Sequence, residues 1–308
     1  MAIDIQKKIY GYEDLFSYFQ KLEINNKLPN KFIISGKKGI GKSSFAYHLI
    51  NYLFTTNEEY KYDTVNLEIN ELNRSFKLIQ NLSHPNFYLI DVDEGKENIG
   101  IEKIRKCFEF INRSSMNGDR RIVLIDNIEY LNINSSNALL KVIEEPNEKL
   151  IFILIHNSSY KLLDTLKSRC ILFKKNFSEK EVISIFDKLS DENYVNLFHG
   201  NTLARFMTVG ELLFLKEFCE ENQFEGRLDT NNILHNYFSN QKNKYDKKYY
   251  SIITKLIQIY LYEKNLNSFS ESTYNWYKSF FKKFAEAKKF NLDIGNLFFE
   301  FNTKVLNE

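Results

Sequence analysis

Short apolar runs alternate with helical patterns through the first half of the chain. Between these runs, apolar side chains recur three and four positions apart, as they do at Phe45, Leu49 and Ile50. Continuous apolar strands that alternate with helices are typical of a parallel β-sheet with both faces covered. The predicted strands are 31–35, 86–91, 121–126, 150–155 and 169–174. Beyond the helix that contains Phe45, Leu49 and Ile50, the predicted helices are 101–111, 134–145 and 160–167.

The pattern changes near residue 177, beyond which no strand signal is found. Ser178 is followed three positions later by Glu181, the pattern of a capping box that begins a helix. The remaining residues are predicted to form helices separated by polar breaks. We therefore expect an α/β domain at 1–174, a small helical domain at 175–210 and a larger helical domain at 211–308.

Composition narrows the class of protein only a little. Of the 308 residues, 43% are hydrophobic and 27% are charged, which is ordinary for a globular protein. The net charge of +2 is too small to require nucleic acid or a membrane as a partner. The three cysteines are far apart and predict neither a zinc site nor a disulfide framework. No signal peptide or membrane-spanning run is found, so we expect a cytoplasmic protein.

A glycine-rich segment between the first predicted strand and helix fits the pattern G-x-x-x-x-G-K-[ST]. Its backbone N–H groups would surround phosphates, Lys42 would reach the terminal phosphates, and the Ser43 hydroxyl would hold Mg²⁺. Two alternatives remain open: a chance match, and an inherited loop that no longer binds nucleotide. The predicted nucleotide contacts are Gly36, Lys37, Lys38, Gly39, Ile40, Gly41, Lys42, Ser43 and Ser44.

A second candidate group follows the predicted strand 121–126, which ends in Asp126. Because ligands bind at the carboxyl ends of parallel strands, Asp126 is expected to join Ser43 in holding Mg²⁺. P-loop enzymes that hydrolyse ATP in ring assemblies carry Glu directly after this Asp, but here that position is Asn127. An amide cannot accept the proton of the attacking water, so general-base help is expected to be missing. Glu129 would replace it only if the loop redirects its side chain; otherwise it faces solvent or is paired.

Several ordered segments together resemble the AAA+ clamp-loader ATPases, and most closely the delta-prime branch of the bacterial DNA polymerase III clamp loader. The stretch 121–170 carries Asn-Ala-Leu-Leu-Lys, Glu-Glu-Pro and Ser-Arg-Cys in the order and spacing of that family. The entry to the glycine loop (11–49), "HPNFYLIDV" (84–92) and the helix at 99–111 are also similar. The C-terminal segment 290–305 resembles the last helix of alphaproteobacterial members.

The resemblance implies an AAA+ domain with a five-stranded parallel sheet, then a helical lid and an all-α collar that mediates oligomerisation. It also implies roles for three residues. Arg169, in Ser-Arg-Cys, would act in trans at the nucleotide site of a neighbouring subunit, whereas a lone Arg there would predict a surface salt bridge. Asn157 would be the first sensor beside the bound phosphate. Arg205 is a candidate second sensor, or else an ordinary helix-surface residue.

The function implied is that of a stator in a hetero-pentamer with the gamma/tau and delta subunits, which loads a sliding clamp on primed DNA. It would bind ATP or ADP with Mg²⁺ and hydrolyse ATP poorly, the polymerase reaction belonging to another chain. Many delta-prime subunits carry zinc-binding cysteines after the first helix, but 55–83 has none, so no zinc is expected. Two alternatives are an active motor ATPase, gamma/tau or replication-factor-C-like, and a nucleotide-dependent AAA+ scaffold outside replication.

Overall fold

The structure is a computed structural model and describes residues 3–93, 95–112, 120–144, 149–224, 226, 228–239, 246–267, 270–290 and 292–306. The chain folds as two compact units, 1–177 and 178–308. The boundary between the units lies close to the predicted end of the α/β domain. The predicted division of the second unit into a lid and a collar stays a prediction.

The first unit is built around one parallel sheet of five strands in the order β2-β3-β4-β1-β5. The strands are β1 (Lys31–Gly36), β2 (Phe87–Ile90), β3 (Arg121–Ile125), β4 (Leu150–Asn157) and β5 (Ile171–Lys174). The helices are α1 (Glu13–Ile24), α2 (Lys42–Phe54), α3 (Arg74–Gln80), α4 (Ile101–Asn112), α5 (Ile133–Glu144) and α6 (Asp164–Lys167).

Both faces of the sheet are buried under helices. Because neighbouring residues of a strand point to opposite sides, each strand contributes side chains to two cores. In β1, Phe32 and Ile34 pack into a core with Phe45 of α2, while Ile33 between them packs into a second core with Ile104 of α4. The strands β1, β3 and β4 are buried along nearly their whole length. The predicted parallel sheet with helices on both faces is confirmed.

Two predicted elements near the end of this sheet are shorter than expected. The helix predicted at 160–167 is only Asp164–Lys167, because the chain turns at Tyr160, whose N–H bonds the Asn157 carbonyl at 3.0 Å. The strand predicted from residue 169 begins at Ile171, because the N–H groups of Arg169 and Cys170 both bond back to Leu166. Arg169 therefore lies in a turn before β5 and not in the strand.

Helices make up the second unit, and its described residues contain no β-strand beyond one isolated bridge. The predicted capping box is present, since the Ser178 N–H donates to Glu181 Oε2 at 2.7 Å while the Ser178 hydroxyl accepts from the Glu181 N–H. The helices are α7 (Glu179–Leu189), α8 (Tyr194–Leu197), α9 (Thr202–Phe206), α10 (Val209–Glu221), α11 (Thr230–Ser239), α12 (Tyr250–Asn267), α13 (Glu271–Lys289) and α14 (Gly295–Phe301).

The fold class predicted from the sequence, a five-stranded parallel α/β domain followed by an all-α region, is confirmed. Within the described part of the chain, none of the helices combines the length and the apolar character needed to span a membrane.

Candidate nucleotide-binding site

The loop between β1 and α2 has a backbone that favours glycine at several positions. Gly39 and Gly41 have φ angles of 82° and 84°, in the left-handed region that other residues rarely adopt. Gly36 is required for a different reason, because a Cβ atom there would lie 2.4 Å from the Lys175 carbonyl oxygen. The glycines of the predicted motif are therefore demanded by the conformation of the loop. Its N–H groups lead into the N-terminus of α2, where the helix dipole favours anions.

Tyr12, which the sequence analysis did not single out, fixes the loop from outside. Its hydroxyl donates to the Ile40 carbonyl at 3.0 Å, and its ring stacks on Phe45 of α2 with centroids 4.9 Å apart. The side chain is only 2% exposed. Because this hydrogen bond occupies the Ile40 carbonyl, that oxygen does not face an anion at the loop, where the backbone N–H groups are the donors. The sequence signal was only a tyrosine at the start of the similar segment 11–49.

Lys42 lies in the first turn of α2 and is buried, with 6% of the residue exposed. Its Nζ donates to the Lys37 carbonyl at 2.7 Å, so the ammonium group lies against the loop backbone. Burial lowers the pKa of Lys42, while the carboxylates of Asp126 and Glu129 act in the opposite direction. The side chains of Lys37 and Lys38 are exposed, so their predicted part in binding would rest on their backbone N–H groups.

Ser43 and Asp126, predicted as the magnesium ligands, are brought together by the fold. The Ser43 hydroxyl donates to Asp126 Oδ2 at 2.6 Å, from the start of α2 to the end of β3. The pKa of Asp126 is raised to about 6, mainly by burial and less by the nearby Asp91 carboxylate, although the hydrogen bond from Ser43 acts in the opposite direction. A hydroxyl beside a carboxylate is an oxygen donor set of the kind that Mg²⁺ prefers. The residues therefore fit a magnesium nucleotide.

Asn127 is held by the neighbouring strand. It has a left-handed backbone with φ of 57°, a conformation in which Asn is favoured over most residues. Its Nδ2 donates to Oδ1 of Asp91, directly after β2, at 2.8 Å, and Asp91 Oδ1 also accepts the Val92 N–H at 2.6 Å. The position where a water-activating Glu would stand thus carries an engaged amide, paired with a carboxylate one strand away. Asp91 was missed as a site residue, although it follows an apolar run as Asp126 does.

Asn157 and Glu129 meet on the other side of the loop. Asn157 is the last residue of β4 and pairs with Gly36 at the end of β1, which places it beside the phosphate loop. Its backbone N–H donates to Glu129 Oε2 at 3.1 Å. Of the alternatives left open for Glu129, the structure shows the paired one. Its charge also favours the protonated form of Lys42, so Glu129 belongs to the electrostatic environment of the site.

Arg169 is located away from these contacts, in the turn between α6 and β5. Its Nε donates to Glu144 Oε1 at 2.8 Å, and its Nη2 lies 2.6 Å from the same oxygen in an ion pair. Its Nη1 donates to the Thr165 carbonyl and the Ser168 hydroxyl, each at 3.1 Å. The side chain is 37% exposed. Glu144 opens the Glu-Glu-Pro motif, whose other two residues are outside the described ranges. Two segments carrying family motifs are thus joined by an exposed ion pair.

Arg205, the candidate second sensor, belongs to the second unit. It lies on α9 with an exposed side chain, and its guanidinium carbon lies 5.9 Å from the centre of the Phe206 ring. Its predicted role is not tested by this arrangement.

The model of a protein family described as "DNA polymerase III, delta subunit" matches residues 11–178. The match includes the glycine loop, Asp126, Asn157 and Arg169. It is confined almost entirely to the first unit, in which the candidate site lies.

Individual relatives are similar over parts of the chain. The DNA polymerase III subunit delta' of Pseudomonas aeruginosa is 29% identical over 140 residues, which cover 46% of this chain and 41% of that protein. The DNA polymerase III subunit tau of Bacillus subtilis is 27% identical over 194 residues, covering 63% of this chain and 33% of that protein. The matches thus span less than half the length of these relatives.

Among solved structures, a DNA polymerase III gamma subunit-related protein from Thermotoga maritima is 18% identical to this chain. The alignment covers 92% of this chain and 96% of that one, with a TM-score of 0.47.

Proposed function

The chain belongs to the DNA polymerase III delta-prime family of clamp-loader subunits, and on that premise we propose that it is a stator: a subunit that binds nucleotide, turns it over poorly and serves its neighbours. Its assembly would be a hetero-pentamer with gamma/tau and delta subunits that loads a sliding clamp on primed DNA. The collar, at 211–308, would hold the assembly together. The polymerase reaction would belong to a different chain.

The proposal of nucleotide binding is supported by the positions of the glycine loop, Lys42 and Asp126 relative to one another. The glycine backbone presents N–H groups, Lys42 lies against the loop, and Ser43 is 2.6 Å from Asp126. With a nucleotide bound, Mg²⁺ would neutralise phosphate charge between Ser43 and Asp126. Asn157, at the end of β4 beside Gly36, would sense the phosphate. ATP or ADP with Mg²⁺ and no zinc is therefore the proposed cofactor state.

The observation that carries the stator role is the engaged amide at position 127. Asn127 cannot take a proton from water, and its Nδ2 is held by Asp91 at 2.8 Å. Loss of a general base typically lowers a rate by ~10²–10⁴. A loop, a lysine and an acid arranged as nucleotide binding would need, beside an unsuitable water-activating position, favour binding without efficient turnover. In this view, hydrolysis in the assembly depends on other subunits.

Arg169 is the residue proposed to act at a neighbour's site. An arginine reaching a transferring phosphate from another chain stabilises the charge of the transition state and is worth ~10³–10⁵ in rate. Its exposed position and its place in Ser-Arg-Cys support this role. Outside such an assembly, the same residue would be an ordinary surface ion pair.

The test is Arg169→Ala in a clamp loader reconstituted from the protein and its partner subunits. We expect assembly to be intact, measured by size-exclusion chromatography, while DNA-stimulated ATP hydrolysis falls by the share of the neighbouring site. Lys167→Ala is the matched control, since Lys167 is a nearby exposed cation of α6 whose described side-chain hydrogen bond is to Asp164. Unchanged hydrolysis in the Arg169 variant would refute the trans role.

A second candidate function, an active motor ATPase, is favoured by one observation. Glu129 lies close enough to Lys42 to influence its pKa, so a carboxylate other than Asp126 is present in the site. Its Oε2, however, already accepts the Asn157 N–H at 3.1 Å. Turnover by the isolated chain at about 1 s⁻¹ or faster, within the ordinary enzyme range, would favour the motor. A scaffold outside replication would be favoured if no clamp-loader subunit binds the chain.

A further inference from the structure

We infer that Glu144 is a positioning residue for Arg169: it holds the guanidinium against its own chain and competes with the phosphate of a neighbouring subunit. This inference rests on the proposed trans role of Arg169. It adds a control element that neither the motif nor the family match assigns. In the isolated chain, Arg169 would stay bound to Glu144, and the phosphate of a neighbour's nucleotide would have to displace Glu144 from it.

The argument begins with the hydrogen bonds of the guanidinium. An arginine has five N–H donors, and it binds phosphate best through two of them on one edge. Glu144 Oε1 accepts from Nε and forms an ion pair with Nη2, while the Thr165 carbonyl and the Ser168 hydroxyl both accept from Nη1. Three of the five donors are thus hydrogen-bonded, and Nη2 lies against the carboxylate oxygen in the ion pair. Neither edge of the fork can engage a phosphate bidentately until one of the contacts breaks.

The acceptors themselves are fixed. The Ser168 hydroxyl donates to the Thr165 carbonyl at 3.1 Å, so its oxygen is turned toward Arg169 as an acceptor. Thr165 belongs to α6 and Glu144 is the last residue of α5, so two helices set this conformation of Arg169. Glu144, which neutralises the charge of Arg169, therefore lies on α5, whereas the neutral acceptors Thr165 and Ser168 lie in and directly after α6. Glu144 is therefore the contact that can be weakened without altering the turn that carries Arg169.

Exposure shows that the restraint must be weak. The side chains of Arg169 and Glu144 are 37% and 53% exposed, and exposed ion pairs contribute little because water screens them. A nucleotide phosphate carries more charge than one carboxylate and would win the competition. The Arg169–Glu144 pair would thus act as a gate: it would weaken the binding of Arg169 to the neighbour's phosphate by a small factor without preventing it.

The test is Glu144→Gln in the reconstituted clamp loader. We expect DNA-stimulated ATP hydrolysis at subsaturating ATP to rise about two- to fivefold, the scale of one exposed ion pair. The maximal rate at saturating ATP should change less, because the gate affects engagement and not the chemical step. Glu144→Asp keeps the charge and should return the value toward that of the unaltered protein. Asp164→Asn, which removes a comparable exposed ion pair with Lys167, should have no effect.

A second measurement uses the isolated chain and needs no nucleotide. The Nε–H signal of Arg169 in an NMR spectrum can be assigned from its loss in Arg169→Ala. In Glu144→Gln this signal should shift and exchange with water faster than in the unaltered chain, whereas Asp164→Asn should leave it in place. Thermal unfolding of the three variants should agree with the unaltered chain within the error of the method.

The outcomes separate the two proposals. If Arg169→Ala lowers hydrolysis but Glu144→Gln leaves it unchanged or lowers it, the gate is wrong and the trans role stands. If the Glu144→Gln gain persists in the double variant with Arg169→Ala, Glu144 acts through something other than Arg169 and the inference is also wrong. If Arg169→Ala has no effect, the trans role fails and the gate with it. A gain that vanishes in the double variant supports the inference.

Discussion

The phosphate loop and the arginine corner, defined as Arg169 with Glu144, Thr165 and Ser168, belong to the same compact unit but are built differently. At the loop, Lys42 is 6% exposed and Ser43 is bonded to a half-buried acid, Asp126. At the arginine corner, the charged side chains are 37% and 53% exposed. The first is a preorganised site, and the second is a surface contact that solvent can compete with.

This difference in exposure supports the proposal that the loop residues bind a ligand of their own chain and that Arg169 contacts another subunit. Buried, mutually bonded groups bind a ligand within their own chain, because the cost of orienting them is already met by the fold. An exposed arginine held by a weak ion pair can exchange its partner for one on another molecule. The two regions together fit the proposed function, in which the chain would bind a nucleotide at the loop and offer Arg169 to a neighbouring subunit.

The largest expected effect tests the loop. Lys42→Met should weaken nucleotide binding by the isolated chain by on the order of 10³-fold, because two charged hydrogen bonds to phosphate are lost while the apolar stem still packs. Arg169→Ala should leave the same affinity within about twofold, the error of such a measurement. Isothermal titration with magnesium ADP provides both values. Equal losses in the two variants would contradict the division between cis and trans groups.

An exchange of Asp91 and Asn127, which follow two neighbouring strands, tests the proposal that the amide at position 127 limits turnover. Asn127→Glu alone would place a carboxylate against Asp91, and the repulsion would turn it away or protonate it, so little gain is expected. The double variant Asp91→Asn with Asn127→Glu keeps an amide–carboxylate pair and moves the acid to position 127. Its hydrolysis by the isolated chain should rise about 10²-fold, the low end for a general base.

Phosphate release measured under saturating magnesium ATP distinguishes these variants. Asp91→Asn alone is the control, because it removes the acid without restoring one at position 127. If the double variant hydrolyses no faster than this control, the missing acid is not what limits turnover.

The smallest effect concerns pH and the support behind the loop. His48 of α2 is fully buried; its Nε2 is 2.8 Å from the Gln6 carbonyl and its Nδ1 2.8 Å from the Tyr62 hydroxyl, and burial lowers its pKa to about 4. The unfolded chain, with an ordinary histidine pKa near 6.5, therefore binds more protons between pH 6.5 and 4. His48 alone should therefore lower the free energy of unfolding by about 2–3 kcal/mol as the pH is lowered through this window, while Asp126, whose pKa is raised to about 6, contributes in the opposite direction.

Unfolding by urea at several pH values provides the check. In His48→Gln, an amide can make the same two hydrogen bonds without titrating, so the stability lost between pH 6.5 and 4 should be smaller than in the unaltered chain. His84, whose pKa burial also lowers to about 4, adds a slope of the same sign that persists in this variant. An unchanged slope would show that His48 is not the group responsible.

Much of the fold and part of the site followed from local patterns in the chain. The apolar runs at β1, β3 and β4 are buried on both faces, and that alone predicts a parallel sheet with its ligands at the carboxyl ends. Spacing predicted the loop, and the structure brings Ser43 to Asp126 as expected. Boundaries near Tyr160 and Arg169 were wrong because turn hydrogen bonds, which no hydrophobic period reports, end the elements there.

The residues that were missed depend on contacts distant in sequence. Tyr12 meets Ile40 across 28 positions, and Asp91 meets Asn127 across 36. A tyrosine or an aspartate after an apolar run is too common to predict either contact. Glu129 was left open between solvent and a partner for the same reason, since its partner Asn157 comes from another strand.

By itself, the sequence determined the chemistry that is available: a glycine loop whose backbone angles few other residues adopt, a lysine and a serine at a helix start, an acid ending a strand, and an amide in place of a base. These follow from covalent identity and local periodicity. Only the tertiary structure decided how the charges are partnered. Strand order sets Asp91 against Asn127, and the ends of α5 and α6 set Glu144 against Arg169, because packing and not spacing determines which carboxylate each polar group meets.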